Sequence, residues 1–383
     1  MRDGWVETTF GDVFKIVAGK YVAKEEYVEG GEFWIYGSNS IMGKLDRFLV
    51  QQSHVIMAAI GAYAGAVRYS KEPSWINNNA MALVPSEKVM AKYLYLWLES
   101  MFDLKRVVVG TGQPYVQRPL LLKEIIELPP LSEQKRIVDL ISSVDSYIEA
   151  IQQQLEGAKR SRNAVLHELL IAEDDQWVET TLGEITDLVR GPFGGSLKKE
   201  IFVNEGFAVY EQQHAIYGDF STIRYRISSE KFDEMKRFSL VPGDLIMSCS
   251  GTMGKVRIVP KEADPGIINQ ALLKIKPKSN LSSDFLYLWM QSDDFIRQIE
   301  MNSGGGALQN VSSVKMLKGI KLRVPGLLEQ ERIIGIISMI DEVIIKTELA
   351  ICEAKNLRSG LLSELLSGAH EIPASYDKVI GAA

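Results

Sequence analysis

Leu131-Ser132-Glu133-Gln134-Lys135-Arg136-Ile137, entered through Pro129-Pro130, opens a stretch whose seam reads Ile137, Ile141, Val144, Ile148, Ile151, Leu155, Ala158, Arg162, Val165, Leu169. The steps alternate between four and three, the period of a heptad seam along one long helix. Ser132 has the side chain of an N-cap. The opening returns as Leu327-Leu328-Glu329-Gln330-Glu331-Arg332-Ile333, 196 residues later on the shared Glu-Gln. The same seam follows: Ile333, Ile337, Ile340, Ile344, Thr347, Ile351, Ala354, Arg358, Leu361, Leu365. Even its one charged step, an arginine, is kept. Leu328 stands where Ser132 would cap, so the second helix lacks that device. A seam this long is expected to lack a partner in its own block and to pair with the other helix, and connectivity favours an antiparallel pair. About 35 residues of helix span roughly 50 Å.

The rest of the chain is also written twice. Trp5-Val6-Glu7-Thr8-Thr9-Phe10-Gly11 recurs as Trp177-Val178-Glu179-Thr180-Thr181-Leu182-Gly183, an offset of 172. Tyr93-Leu94-Tyr95-Leu96-Trp97 recurs as Phe285-Leu286-Tyr287-Leu288-Trp289, an offset of 192. The order is kept while the offset grows, as in duplicated modules whose interior has diverged. Short β-prone runs are separated by Gly, Asn and Pro turns. They include Phe33–Tyr36, His54–Met57 and Ala80–Val84 in one copy, and Phe207–Tyr210, Asp244–Met247 and Lys255–Val259 in the other. The expected fold is α+β: two blocks separated by two long antiparallel coiled-coil helices, with a pseudo-two-fold internal repeat. The expected divisions are 1–131, a first helix 132–175, 176–327, a second helix 328–370 and a tail 371–383.

With 383 residues, 46% apolar and 24% charged, the composition is that of soluble globular domains. The N-terminus has no apolar signal core and Val55 to Val67 is too short to span a bilayer, so no membrane association is expected. Two cysteines argue against a disulfide scaffold and for a reducing cytoplasm. The net charge of −6 is unevenly distributed. Residues 132–175 and residues 328–371 each carry −4, whereas residues 1–131 carry zero and residues 176–327 carry +2. The acidity thus lies on the helices and leaves the blocks free to present a basic groove.

Two different heads on a fixed spacer suit a bipartite, asymmetric site on duplex DNA with an unread gap; half-site readers work near one helical turn, about 34–36 Å. A coiled-coil scaffold with two protein-binding heads has the same outline. The polar, Gly-rich loops supply the candidate DNA contacts. In the first block these are Tyr36, Ser38, Asn39, Lys44, Tyr63, Asn78, Gln113 and Tyr115. In the second they are Lys198, Lys199, Gln212, Gln213, Ser250, Thr252, Lys255, Gln309 and Asn310. Asn and Gln pair bidentately with adenine, and Lys44, Lys198, Lys199 and Lys255 suit phosphate. Enzyme signatures are missing. Gly251-Thr252-Met253-Gly254-Lys255-Val256 lacks P-loop spacing, Gly110-Thr111-Gly112 lacks a third glycine, and His54, His167, His214 and His370 show no metal spacing. No catalytic residue, metal or cofactor is expected on this chain.

Leu128-Pro129-Pro130-Leu131-Ser132-Glu133-Gln134-Lys135-Arg136-Ile137 and its echo Val324-Pro325-Gly326-Leu327-Leu328-Glu329-Gln330-Glu331-Arg332-Ile333 closely resemble the helix entries of type I restriction-modification specificity subunits. The Trp5 and Trp177 openings to Gly11 and Gly183, the Gly251 loop and Gly110-x-Gly-Gln-Pro add to the likeness, which covers nearly the whole chain. The second copy departs at Gly326, Leu328 and Glu331, and the Gly61 loop is one residue longer than its counterpart. The resemblance implies two target recognition domains, each reading half of a bipartite site. It implies helices that dock two modification subunits, which bind S-adenosylmethionine and methylate adenine. Two ATP- and Mg-dependent restriction subunits would join for cleavage, and the chain itself would perform no chemistry.

Overall fold

The computed structural model describes residues 4–171, 176–302 and 314–380. It divides into two compact units, Met1–Gln153 with Glu348–Ala383, and Gln154–Thr347. Both are mixed helix and strand. Gln309 and Asn310 lie outside the described residues.

Each unit is framed by the repeated strings. Val6–Thr9 pairs antiparallel with Ile125–Leu128, Val6 opposite Leu128. Val178–Thr181 pairs antiparallel with Lys321–Val324, Val178 opposite Val324. The first and last strands of each block are therefore zipped together, and the last one delivers the chain to a long helix. The Thr-Thr pair has its own task. Thr9 Oγ1 donates to Asp12 at 2.7 Å, and Thr180 Oγ1 donates to Glu184 at 2.8 Å. These hydroxyl bonds hold both carboxyls below their ordinary range at the start of a short helix.

Inside the first frame, Phe14–Ala18, Ala80–Pro85, His54–Ala58 and Val67–Ser70 form a four-stranded antiparallel sheet in that order. Phe33–Tyr36 pairs antiparallel with Ile41–Leu45 and parallel with Ser74–Ile76. The second unit repeats this with Thr186–Arg190, Leu272–Pro277, Leu245–Ser248 and Val256–Ile258. There Phe207–Tyr210 pairs parallel with Gly266–Ile268 in a five-stranded sheet. The growth in offset is localised. It is 174 at Tyr36 and Tyr210 but 190 at Met57 and Met247. Between those points the first unit has one hairpin, whereas the second inserts Gln212–Tyr217 ahead of Arg226–Ile227, the counterpart of Ile41–Leu45, and Ser229–Glu234 after it.

The long helices run Leu131–Ile171 and Leu327–Leu366. Ser132 stands inside the first turn and not at its cap; the Pro130 carbonyl accepts from Glu133 and Gln134 amides, so the helix begins one residue early. Ile137, Ile141, Ile148, Ile151 and Leu155 are buried, with Val144 half-buried. Ile333, Ile337, Ile344 and Ile351 are buried, with Ile340 and Leu361 half-buried. The expectation that neither seam finds partners in its own block needs correction. Ile137 and Ile141 enter a core with Phe10, Tyr93 and Leu128 as well as with Leu362 and Leu365 of the second helix. Ile333 and Ile337 likewise join Trp177, Phe285 and Leu322, with Leu166 from the first helix. The closing strand lies against the first helical turns, so the same apolar face serves block and partner helix.

Direction is fixed by the charged step of each seam. In the first unit Arg358 forms a bidentate pair with Asp145, with Nη2 to Oδ2 at 3.2 Å. In the second unit Arg162 does the same with Asp341, with Nη2 to Oδ2 at 3.0 Å. Both arginines and both aspartates are related by the offset of 196, so each helix offers one Arg and one Asp to the other. Within the first unit, residues later in one helix meet residues earlier in the other (Ile137 near Leu365, Asp145 at Arg358), which makes the pairing antiparallel. The second unit shows the same sense through Arg162–Asp341 and Leu166 near Ile337.

The two outer faces differ. The second helix exposes Leu328, Met339, Val343, Ile345, Leu349 and Leu357. At the corresponding positions the first helix carries Ser132, Ser143, Tyr147, Glu149, Gln153 and Ser161. No helix among the described residues is long and apolar enough to cross a membrane.

Candidate nucleic-acid interface

In the first unit the loops named from the sequence come together through backbone hydrogen bonds. The Asn77 amide donates to Tyr36 O at 2.8 Å, and the Ala59 amide to Asn79 O at 2.9 Å. The Gly61 amide donates to Pro114 O at 2.8 Å, and the Val116 amide to Ala59 O at 2.9 Å. Arg68 Nη2 donates to Asn39 Oδ1 at 3.3 Å and ties the Gly37–Ser40 hairpin tip to the next sheet. Tyr63, Asn39, Asn78, Gln113 and Tyr115 are exposed along this set, while Tyr36, Ser38 and Lys44 are half-buried. Lys44 Nζ lies 4.3 Å from the Trp34 ring centroid, a cation–π contact that leaves it at the surface.

The second unit rebuilds the set on the same frame with other side chains. The Asn269 amide donates to Tyr210 O at 2.9 Å, as Asn77 does to Tyr36. The Cys249 amide donates to Ala271 O at 2.9 Å, the counterpart of Ala59 to Asn79. Gln212 Nε2 reaches Ser250 O, and Thr252 O at 3.5 Å, which fixes the Gly251 loop. That loop is a hairpin between Leu245–Ser248 and Val256–Ile258, closed by Ser248 Oγ donating to Thr252 O at 2.6 Å and accepting from the Lys255 amide at 3.0 Å. Its glycines serve the turn, with φ of +61° at Gly251 and +74° at Gly254. Gln213, Thr252 and Lys255 are exposed; Gln212 and Ser250 are half-buried. Lys198 and Lys199 are exposed on the turn into Phe202–Val203, and among the described residues they share no hydrogen bond with this set.

A glycine at the same place in each unit is required by the frame. A Cβ on Gly19 would lie 1.9 Å from Asn77 O, and one on Gly191 would lie 1.8 Å from Asn269 O. Two residues on, an aromatic side chain stands in water in both units: Tyr21 is 72% exposed and Phe193 92%. Phe193 falls within Gly191 to Ser196, a glycine-rich stretch that the sequence marks as a candidate reading loop, whereas Tyr21 carries no such mark; both sit at the offset of 172 that relates Trp5 to Trp177. Arg68 was missed as well, because its role depends on a hairpin tip folding back onto another strand.

The titratable groups near these loops are built for structure. His54 is buried, its two ring nitrogens 2.8 Å from Gln52 O and Ser74 Oγ, and burial lowers its pKa. His214 is buried with Thr222 O 3.2 Å from Nε2. Burial pushes the Cys249 thiol up to about 11, away from a reactive thiolate. No group of metal-ligating side chains occurs among the described residues.

A duplicated α+β module, each copy carrying a hydrogen-bonded set of polar loops and followed by a long helix, makes an internally repeated α+β protein. The chain matches the model of the type I restriction modification DNA specificity domain over residues 2–160 and 174–353, and it belongs to that family. It is 24% identical over 379 residues to the type I restriction enzyme MjaVIII specificity subunit of Methanocaldococcus jannaschii, covering 89% of this chain and 87% of that one. It is 22% identical over 374 residues to the EcoBI specificity subunit of Escherichia coli, covering 88% and 74%. Among solved structures, the S subunit of a type I restriction-modification system from M. genitalium aligns with a TM-score of 0.57 at 18% identity, covering 94% of this chain and 96% of that chain. A chain solved in work on complex assembly and conformational transition of the type I R-M system aligns at 0.65 and 16% identity, covering 96% and 98%. These two likenesses bear on the fold.

Proposed function

We propose that this chain is the non-catalytic subunit that gives a type I restriction-modification complex its target sequence, each unit reading one half of a bipartite, asymmetric site on double-stranded DNA. The observation that carries this reading is the pair of loop clusters: one hydrogen-bonded frame, used twice, with different exposed side chains on each copy. Identical heads would suit a palindrome, whereas these heads suit two unrelated half-sites. Asn39, Asn78, Gln113, Gln212 and Gln213 are the proposed base readers, with Tyr36, Ser38, Tyr63, Tyr115, Ser250 and Thr252 beside them. Lys44, Lys198, Lys199 and Lys255 are the proposed phosphate contacts.

The long helices dock two modification subunits on this reading, and two restriction subunits join for cleavage. The apolar outer face of the second helix supports protein docking, since a free surface of this kind is uncommon on a monomer. S-adenosylmethionine, ATP and Mg would belong to those partners. Specificity is then a difference in binding energy, with each mismatched base pair costing about 1–3 kcal/mol. Methylome sequencing of a host with and without the gene tests the reading. The expected result is one split adenine-methylated motif that disappears with the chain. A contiguous motif, or an unchanged methylome, overturns it. A gel shift with the modification partner should also weaken steeply with salt.

A further inference from the structure

Tyr21 and Phe193 are the same element of the frame, and both rings are held out in water. Burial of such a ring would favour the fold, so its exposure in both copies leaves an apolar surface unused by the fold itself. The backbone around each is fixed. The Lys20 amide donates to Ile76 O at 2.8 Å, the Trp75 indole N–H donates to Lys20 O at 3.0 Å, and Val22 is buried. The Gly191 amide donates to Leu272 O at 2.9 Å, Pro192 is buried, and the Ser196 amide donates to Phe193 O at 2.8 Å. Each ring therefore projects from an ordered support, and ordering it on a ligand costs little. Each also starts two residues from the glycine pressed against the Asn77 or Asn269 carbonyl, at the edge of the polar loops.

We propose that Tyr21 and Phe193 are DNA-contacting residues, one for each half-site, whose rings enter a groove of the duplex and pack on base edges beside the amide-bearing loops. This rests on the reading of the two units as half-site readers. An uncharged ring two residues from the glycine that meets the Asn77 or Asn269 carbonyl matches a base edge carrying a thymine methyl or an exposed step face. A phosphate offers the Phe193 ring nothing and can bond only the hydroxyl of Tyr21, which Tyr21→Phe removes.

The test uses the full chain with its modification partner. Selection from a random duplex pool first defines the bound sequence. Affinity for that duplex is then measured over a salt series for Tyr21→Ala, Phe193→Ala and the ring-retaining Tyr21→Phe and Phe193→Tyr. Each alanine variant should bind about tenfold more weakly, within the range of one lost base contact. The slope of log affinity against log salt should stay as in the unsubstituted complex, because a neutral ring releases no counterion. The ring-retaining variants should recover at least half of the loss on a logarithmic scale. Repeating the selection with Phe193→Ala should relax one half-site alone. Alanine variants within twofold of the parent, a shallower salt slope, or no rescue by the retained ring overturns the proposal. Altered self-association with unchanged DNA affinity also overturns it, in favour of a protein contact. If the unsubstituted complex selects no sequence, the half-site reading falls and this proposal with it. Unchanged thermal denaturation of Phe193→Ala is expected from its exposure and separates contact from misfolding.

Discussion

Gln134 and Gln330 show what the repeated Glu-Gln does. Each is fully buried at the head of a long helix. Gln134 Oε1 accepts from the Met90 amide at 2.9 Å, and its Nε2 donates to Lys88 O at 3.0 Å and Pro129 O at 2.9 Å. Gln330 repeats this with the Ser282 amide at 2.8 Å, Asn280 O at 3.1 Å and Pro325 O at 2.9 Å. One side chain thus bolts the helix start to the segment before Ala91–Ser100 or Ser283–Trp289. Gln134→Leu keeps the volume roughly but strands a buried amide and two carbonyls. It should cost about 2–4 kcal/mol, at about 1–3 kcal/mol per orphaned group with partial relaxation. Urea denaturation of the first unit, followed by hydrogen exchange of peptides near Met90, checks this, and Gln330→Leu should do the same near Ser282. A loss below 0.5 kcal/mol sinks the account. The residues were legible in the sequence as a repeated string; their task was not, because it depends on a contact with a chain segment more than forty residues away.

The long helices were the most readable elements, since a heptad seam writes its own period into the chain. Their direction was an argument from connectivity. In the folded chain it rests on Arg358–Asp145 and Arg162–Asp341, and the aspartates that answer the seam arginines had no mark of their own in the sequence. These pairs are partly buried, so their strength lies between exposed and interior ion pairs. Arg358→Asp places two carboxylates together and should cost about 1–3 kcal/mol, with amide protection lost around residues 141–151 and 351–362. Adding Asp145→Arg restores opposite charge and should regain at least half of that loss. The Arg162–Asp341 region should keep its protection throughout. Failure of the second substitution to compensate would show that the contact does not set register. The strands were legible to within a residue or two from β-prone runs between turns. The inserted helix Gln212–Tyr217 and the strand Arg226–Ile227 were not, because six residues of helix and two of strand are too short to write a period into the chain. The loops were recognisable as polar and glycine-rich, while their convergence needed the backbone bonds that link Tyr36 to Asn77 and Ala59 to Asn79.

At the scale of the whole chain, each long helix belongs to both compact units: the division falls after Gln153 in the first and after Thr347 in the second. A helix cannot stretch, since its rise of 1.5 Å per residue is set by its hydrogen bonds. On the proposed reading, helix length therefore sets the unread gap, and loop chemistry sets the half-sites. The two are separable by experiment. Seven residues inserted after Gln153 and seven after Thr347 preserve the heptad phase of both seams. They also leave the Arg358–Asp145 and Arg162–Asp341 pairs on their own sides of the insertion. The addition lengthens each helix by about 10.5 Å, close to three base pairs at about 3.4 Å per step. The methylated motif should keep both half-sites and gain about three unread positions. Insertion in one helix alone offsets the seams against each other and should abolish methylation. An altered half-site would mean that the long helices take part in reading bases, and an unchanged gap would mean that something other than helix length spaces the two heads.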